Sequence, residues 1–293
     1  MQNSGKIMFG YWFKKWTLSY KLSYGIVRLG VKVFYKKFEV KGLDSFPENA
    51  GVLFAVNHQN AFMDPIVIAT RLKQNIHYLT RADIFKKKIA SKFLNSLYML
   101  PVFRPRDGFK TVTNNEITFN KCYSILKKNG NIIVFPEGGH SNIKKLRPFK
   151  KGIARIGLGA ANKYNYSIPI YVMPIGLNYS NHTKMGASLL INFGEPISLS
   201  NYYALHKENP VSAINNAMNE IREETEKLIV NIKSEKYTIV HHLIWLLNDV
   251  IKELKSENSS SLHTQLLIHQ ELIQKLEKLE YDDTALFHKL SDN

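Results

Sequence analysis

The stretch from Gly51 to Pro65, Gly-Val-Leu-Phe-Ala-Val-Asn-His-Gln-Asn-Ala-Phe-Met-Asp-Pro, constrains the fold more than any other part of the chain. The uninterrupted apolar run Val52–Val56 reads as a short strand buried on both faces. It stops at Asn57-His58, where a polar turn begins. Asp64-Pro65 then opens an apolar stretch, Ile66 to Leu72, suited to a helix, because Asp can cap a helix and Pro is tolerated at its first position. A doubly buried strand running through a turn into a helix belongs in a layered α/β domain. It also sets His58 at a strand end and Asp64 at a helix start, where such folds place their chemistry.

His58 and Asp64 are separated by Gln59–Met63. On one continuous helix, at about 100° per residue, they would lie on different faces. They meet only if the intervening segment turns, and the Asn-His-Gln-Asn run favours a turn because Asn enters left-handed conformations readily. In that geometry the carboxylate holds one ring nitrogen and leaves the other as a base. Spacing alone leaves a second reading open, in which Asp64 only caps a helix and His58 only lines a turn.

A second stretch, Asn-Ile-Ile-Val-Phe-Pro-Glu-Gly-Gly-His-Ser at residues 131 to 141, repeats the pattern of a buried strand entering a polar, Gly-rich turn. Together the two stretches resemble the glycerolipid acyltransferase family, which includes the 1-acylglycerol-3-phosphate acyltransferases. The resemblance rests on Asn57-His58 with Asp64, on Pro101-Val102-Phe103-Arg104, on Phe135-Pro136-Glu137-Gly138, and on Ile168-Pro169-Ile170-Tyr171-Val172-Met173-Pro174, in that order. There are two departures. The family usually has one residue fewer between its His and Asp, and Gly139-His140-Ser141 stands where it usually has Thr-Arg-Ser. A divergent branch of the family is implied.

The resemblance implies a mixed sheet flanked by helices and an enzyme that moves a fatty acyl group from a thioester donor, acyl-CoA or acyl carrier protein, to a hydroxyl. His58 would be the base and Asp64 would orient it, with no acyl-enzyme, and no Gly-x-Ser-x-Gly elbow is present. Arg104 would bind the acceptor's phosphate, with Arg106 as a neighbour able to serve instead. Glu137 is the ordinary counter-ion candidate for these arginines. Glu137 and Gly138 match the acceptor-binding turn. The arginine missing after that turn leaves His140, Lys144, Lys145 or Arg147 as substitutes. The expected acceptor is a phosphorylated lyso-lipid, 1-acylglycerol 3-phosphate, in phospholipid biosynthesis. Glycerol 3-phosphate or a lyso-aminolipid is the alternative within this chemistry, and a non-catalytic membrane- or nucleic-acid-binding protein the alternative outside it. No cofactor or metal is expected.

Composition narrows the partners. Lys+Arg of 40 against Asp+Glu of 24 leaves a net charge of +16, which calls for an anionic partner. No nucleic-acid signature accompanies it, so an anionic membrane surface and phosphorylated substrates are expected. The one cysteine, Cys122, excludes a disulfide framework and a multi-cysteine zinc site. No run approaches the ~18 apolar residues of a spanning helix. Early hydrophobic residues are broken by Lys14, Lys15, Lys21 and Arg28, so a signal peptide is not expected. The expected location is peripheral, on the cytoplasmic face of a membrane.

Residues 1–38 hold no Asp or Glu but many aromatics, Trp12 and Trp16 among them. Lys14, Lys21, Arg28 and Lys32 share one helical face, so the segment reads as an interfacial amphipathic helix, with a core-packing helix as the plainer reading. Residues 39–205 are expected to form the catalytic domain. Strands are expected near Phe38–Val40, Tyr78–Asp83, Pro101–Phe103, Ile132–Phe135, Ile168–Tyr179 and Leu189–Gly194. Helices are expected at Ile84–Leu100, Phe109–Lys128 and Phe149–Asn162. Residues 206–293 carry no strand signal and read as a helical region, with helices at 211–233, 237–255 and 262–280.

Overall fold

The computed structural model describes residues 18–72, 75–104, 111–254, 261–283 and 287. After helix α1 (Leu18–Phe34) come β1 (Lys37–Lys41), β2 (Gly51–Val56), α2 (Met63–Ala69) and β3 (Ile76–Arg81). A 3-10 turn (Ala82–Phe85), α3 (Lys88–Ser96), β4 (Met99–Val102), α4 (Thr111–Lys127) and β5 (Asn131–Val134) follow. Then come α5 (Gly152–Lys163), β6 (Ile170–Tyr179), β7 (Ser188–Phe193), β8 (Ile197–Ser198), α6 (Tyr203–Glu208), α7 (Pro210–Lys227), α8 (Tyr237–Leu254) and α9 (Leu262–Asp282).

The strands form one mixed sheet in the order β1-β7-β6-β2-β5-β3-β4, with β8 beside β6. β2 runs parallel to both its neighbours, pairing Leu53 with Ile132 of β5 and with Val172 of β6. β7 is antiparallel to β6 and parallel to β1. Strand alternation divides the interior. Val52, Phe54 and Val56 face one layer with Val31 and Tyr35 of the α1 segment and Val67 and Ile68 of α2. Leu53 and Ala55 face the other, with Cys122 and Leu126 of α4, Ile153 and Ile156 of α5, and Ala213, Ala217 and Ile221 of α7. The doubly buried apolar runs read from the sequence are thus the central parallel strands.

The connections fix where chemistry can sit. From β2 the chain moves outward across the sheet to β3 and β4, then returns through α4 to β5. The helix after β2 lies in one layer and the helix after β5 in the other. Adjacent strands whose following helices diverge to opposite faces open a crevice at their carboxyl ends. That crevice lies between β2 and β5.

The C-terminal helices are bound to the sheet's far side. Leu190 of β7 packs with Val240, Leu243 and Ile244 of α8 and Leu266, Ile273 and Leu276 of α9. Glu39 of β1 accepts hydrogen bonds from the first amides of α9, Leu262 N at 2.5 Å and His263 N at 3.4 Å. A carboxylate there satisfies free amide donors and the positive end of the helix together.

One expected helix, Ile84–Leu100, is corrected. Only residues 88–96 are α-helical, and Met99-Leu100 open β4. Tyr98 takes a left-handed conformation, φ 60°, and reverses the chain into the strand. A long apolar run cannot by its period separate a helix from the strand that follows.

Candidate active site

β2 delivers Asn57 and His58 into the crevice and β5 delivers Phe135 to Gly138. Asn57 is buried and extends the β2–β6 pairing with its side chain. Its Nδ2 donates to Leu177 O at 3.1 Å, and its Oδ1 accepts from Leu177 N at 2.7 Å. This anchors the residue before His58 to the neighbouring strand.

His58 and Asp64 meet: Nδ1 lies 2.8 Å from Asp64 Oδ2. The fully buried Asp64 also accepts from Gln59 N and Asn60 N, both at 2.9 Å to Oδ2, and from Tyr179 OH at 2.7 Å to Oδ1. Four donors around one carboxylate compensate for its burial. Burial drives the Tyr179 phenol well above its ordinary range and the Asp64 charge adds to this, so Tyr179 stays a donor. The Tyr35 phenol, beside Tyr179 at 6.1 Å between ring centroids, is pushed up to about 12, chiefly by burial. Because Asp64 holds Nδ1, Nε2 is the ring nitrogen that this pairing leaves available for proton exchange. Phe135 stacks on the imidazole at 4.0 Å and 20°, and the His140 ring stands edge-on to it at 5.9 Å.

Asp64 does not cap α2, as the sequence suggested. The helix begins at Met63, and its cap residue, Phe62, makes no side-chain cap bond. Asn60 takes that part: its Oδ1 accepts from Phe62 N and Met63 N at 3.1 and 3.0 Å, and its carbonyl accepts from Asp64 N at 3.2 Å. This local turn absorbs the extra residue in the spacing and frees the Asp64 carboxylate for His58.

Glu137 is buried and joins the two motifs. Its Oε1 accepts from His58 N at 2.7 Å, while Oε2 accepts from Arg147 N at 3.3 Å and Arg147 Nε at 3.2 Å. Arg147 Nη2 also donates to Gly139 O. Gly138 stands at φ 70°, with its N donating to Phe135 O at 3.0 Å. A Cβ there would lie 2.7 Å from Lys150 Nζ. Ser141 N donates to His58 O at 3.0 Å, closing the second loop over the first. Lys144 is tied by its backbone to the C-terminal region, with N donating to Tyr237 OH at 2.9 Å, and burial pulls its ammonium below the usual lysine range. Lys145 Nζ donates to Lys233 O at 3.0 Å. Lys145 lines the small cavity at this site with Asn57, His58, Gln59, Glu137 and Ile143.

Arg104 sits apart. Two residues beyond β4, it lies three strands from β2, about 14 Å along the sheet edge. Its Nη2 is 3.6 Å from Asp83 Oδ2. Glu137, the counter-ion expected from the sequence, is paired with Arg147 instead. The strand order explains the exchange: β3, which leads to Asp83, is β4's neighbour, whereas β5, which leads to Glu137, is one strand further. Arg106 falls outside the described residues.

The sequence reading missed Tyr179, Asn60 and Phe135. Tyr179 carried one usable signal, since it closes a long buried strand with a polar aromatic. A wider cleft of about 630 Å³, lined by His77, Tyr98, Asn120 and Lys121 among others, lies toward the opposite ends of β3 and β4, away from this crevice.

A family model described as Acyltransferase matches residues 37–178, the segment from β1 to all but the last residue of β6, which carries His58, Asp64 and Glu137. Residues 37–178 thus carry an acyltransferase domain, and the named relatives to which the chain is similar support a glycerolipid acyltransferase family. It is 29% identical over 130 residues to a glycerol-3-phosphate O-acyltransferase 2 of Saccharomyces cerevisiae, covering 44% of this chain and 16% of that protein. It is 26% identical over 150 residues to a chloroplastic 1-acyl-sn-glycerol-3-phosphate acyltransferase of Brassica napus, covering 50% of this chain and 40% of that one. It is 26% identical over 205 residues to a 1-acyl-sn-glycerol-3-phosphate acyltransferase of Bacillus subtilis, covering 68% and 90%. The first relatives are thus matched over less than half of their own length.

Proposed function

We propose that the protein is an O-acyltransferase that moves a fatty acyl group from a thioester, acyl-CoA or acyl-carrier-protein bound, to the hydroxyl of a lyso-lipid. The acceptor that best fits the family is 1-acylglycerol 3-phosphate. The observation that carries this reading is the His58–Asp64 pair at 2.8 Å, made through Nδ1 at the crevice between β2 and β5, with His58 lining the small cavity there. His58 takes the hydroxyl proton as oxygen attacks the thioester carbonyl. Asp64 holds the ring in one tautomer and stabilises the imidazolium that forms. The thiolate of the donor then departs and is protonated, so no covalent enzyme intermediate is needed. Glu137 positions His58 through its backbone amide. Arg104, at the same edge, is the proposed phosphate contact, suited by its planar fork.

The membrane belongs to this proposal. α1 turns Leu22, Ile26, Leu29 and Val33 outward along one face, with Arg28 and Lys32 exposed beside them. An apolar stripe flanked by cations suits a helix lying on an anionic bilayer, which supports a peripheral location on the cytoplasmic face. No helix among the described residues is long and apolar enough to cross a membrane. The similarity to the yeast glycerol-3-phosphate O-acyltransferase favours glycerol 3-phosphate as the second acceptor to test.

The test is lipid mass spectrometry of the purified protein with acyl donors and a panel of lyso-lipids, glycerol 3-phosphate included. His58→Ala is expected to lower turnover about 10²–10⁴-fold with the fold retained. Turnover by His58→Ala at the wild-type rate would sink the mechanism.

A further inference from the structure

We propose that α3 is a second lipid-contacting element, on the catalytic domain itself, which seats the catalytic edge of the sheet against an anionic membrane surface. α3 has no buried residue. Ile89 is 86% exposed and Phe93, one turn on, 53%; Ile84 in the preceding 3-10 turn is exposed too. A surface helix of a globular domain ordinarily turns its apolar stripe toward the core. This one presents an aliphatic and an aromatic residue to the outside.

The charges on the helix and just before it are of one sign from Ile84 onward, and Asp83, which precedes them, is paired with Arg81 and Arg104. Lys86, Lys87, Lys88 and Lys92 are exposed, and no Asp or Glu occurs from Ile84 to Arg106. Cations flanking exposed Ile and Phe on a short amphipathic helix match the chemistry of an anionic lipid interface, where the apolar side chains enter the acyl boundary and the ammonium groups meet phosphates.

The topology places α3 where such contact has a consequence. The steps from β2 to β3 and from β3 to β4 run the same way across the sheet, so right-handed crossovers put α3 in the same layer as α1 and α2. That layer already carries the outward stripe of α1. α3 is entered from the carboxyl end of β3, the same sheet edge as His58, and Phe62 is exposed on that edge between His58 and α2. A single interfacial helix leaves the domain free to roll about the helix axis. A second contact fixes the tilt, so that the crevice opens toward the bilayer and a lipid hydroxyl reaches Nε2 without its chain leaving the membrane. A lipid surface is favoured over an acidic carrier protein because the exposed apolar residues span several elements of one layer.

Vesicle binding tests this without turnover, so its outcome is independent of whether the proposed reaction is right. Sedimentation of the full chain with phosphatidylglycerol–phosphatidylcholine vesicles is compared for wild type and for Ile89→Asp with Phe93→Asp. Both positions are exposed, so circular dichroism and the thermal midpoint are expected to stay unchanged while affinity falls at least tenfold, about 1.4 kcal/mol. A polarity-sensitive dye on Ile89→Cys, the native Cys122 being buried, is expected to shift to the blue and to be quenched by lipid-borne quenchers. Unchanged vesicle affinity in the double variant, or a dye that stays in water while the chain is bound, overturns the proposal. So does a variant that binds vesicles normally but needs more acyl carrier protein donor at constant acyl-CoA response, which would make the face a carrier-protein dock.

Discussion

Replacing Asp64 by Asn separates the carboxylate's charge from its hydrogen bonding. Oδ2 accepts from His58 Nδ1, Gln59 N and Asn60 N, while Oδ1 accepts from Tyr179 OH. An Asn side chain can set its oxygen toward the three nitrogens and its NH₂ toward Tyr179, whose hydroxyl rotates to accept. Every bond survives and His58 keeps its tautomer; only the charge facing the imidazolium is lost. A hydrogen bond to a charged group contributes roughly 1.5–3 kcal/mol and a neutral one about 0.5–1.5, so losing the charge alone costs roughly 1–1.5 kcal/mol. If that difference is felt only as His58 becomes cationic, kcat falls roughly 5- to 13-fold at about 1.4 kcal/mol per decade. Asp64→Ala removes the acceptor outright and leaves the buried Tyr179 hydroxyl and the two loop amides without it. Breaking such a buried set costs about 3–5 kcal/mol, or roughly 10 °C in midpoint for a domain of this size. The assays are single-turnover acyl transfer and thermal unfolding of both variants. A wild-type single-turnover rate in Asp64→Asn would refute charge stabilisation of His58. An unchanged midpoint in Asp64→Ala would refute the carboxylate as the organiser of the loop.

Asn57→Ala is expected to destabilise the fold by roughly 2–5 kcal/mol, measured by denaturant midpoint, because both backbone groups of Leu177 lose their partner. Arg104→Ala is expected to raise the acceptor's KM or lower kcat/KM by roughly 1.5–3 kcal/mol on a phosphorylated acceptor but not on its dephosphorylated analogue; equal losses on both would remove Arg104 as a phosphate reader. At alkaline pH the buried phenols set a limit. The folded-state pKa of Tyr179 is well raised and that of Tyr35 is pushed up to about 12, so the folded chain holds more protons than the unfolded chain above pH 10. Stability from these groups is therefore full below pH 10 and is lost as pH rises from 10 through about 12. Tyrosinate absorbance is expected to rise together with loss of near-ultraviolet circular dichroism, and in Tyr179→Phe the loss should be shallower.

What could be read along the chain and what could not differ by a physical rule. Val52–Val56 and Ile132–Val134 were legible as strands because a strand buried on both faces is apolar at every position. The two polar turns that follow were legible as a candidate site through the ordered motifs that resemble the glycerolipid acyltransferases, since spacing alone left a plain turn and a helix cap open. The end of α3 was not, since Leu97 and Met99-Leu100 continue the apolar run and only the left-handed Tyr98 marks the break. Local pattern left Asp64 open between a helix cap and a partner of His58, and only the family resemblance pointed to the partner; Asn60 takes the cap's place through the folded turn. The remaining site contacts depend on strand order, which local pattern does not encode. Tyr179 reaches Asp64 because β6 borders β2, and Glu137 reaches the His58 amide because β5 borders β2 on its other side. His58 is thus braced from both neighbouring strands, by Glu137 through its backbone and by Tyr179 through Asp64. A firmly held imidazole at a switch point follows from placing β2 between two parallel neighbours. The same placement accounts for Arg104 standing three strands away, about 14 Å along the sheet edge.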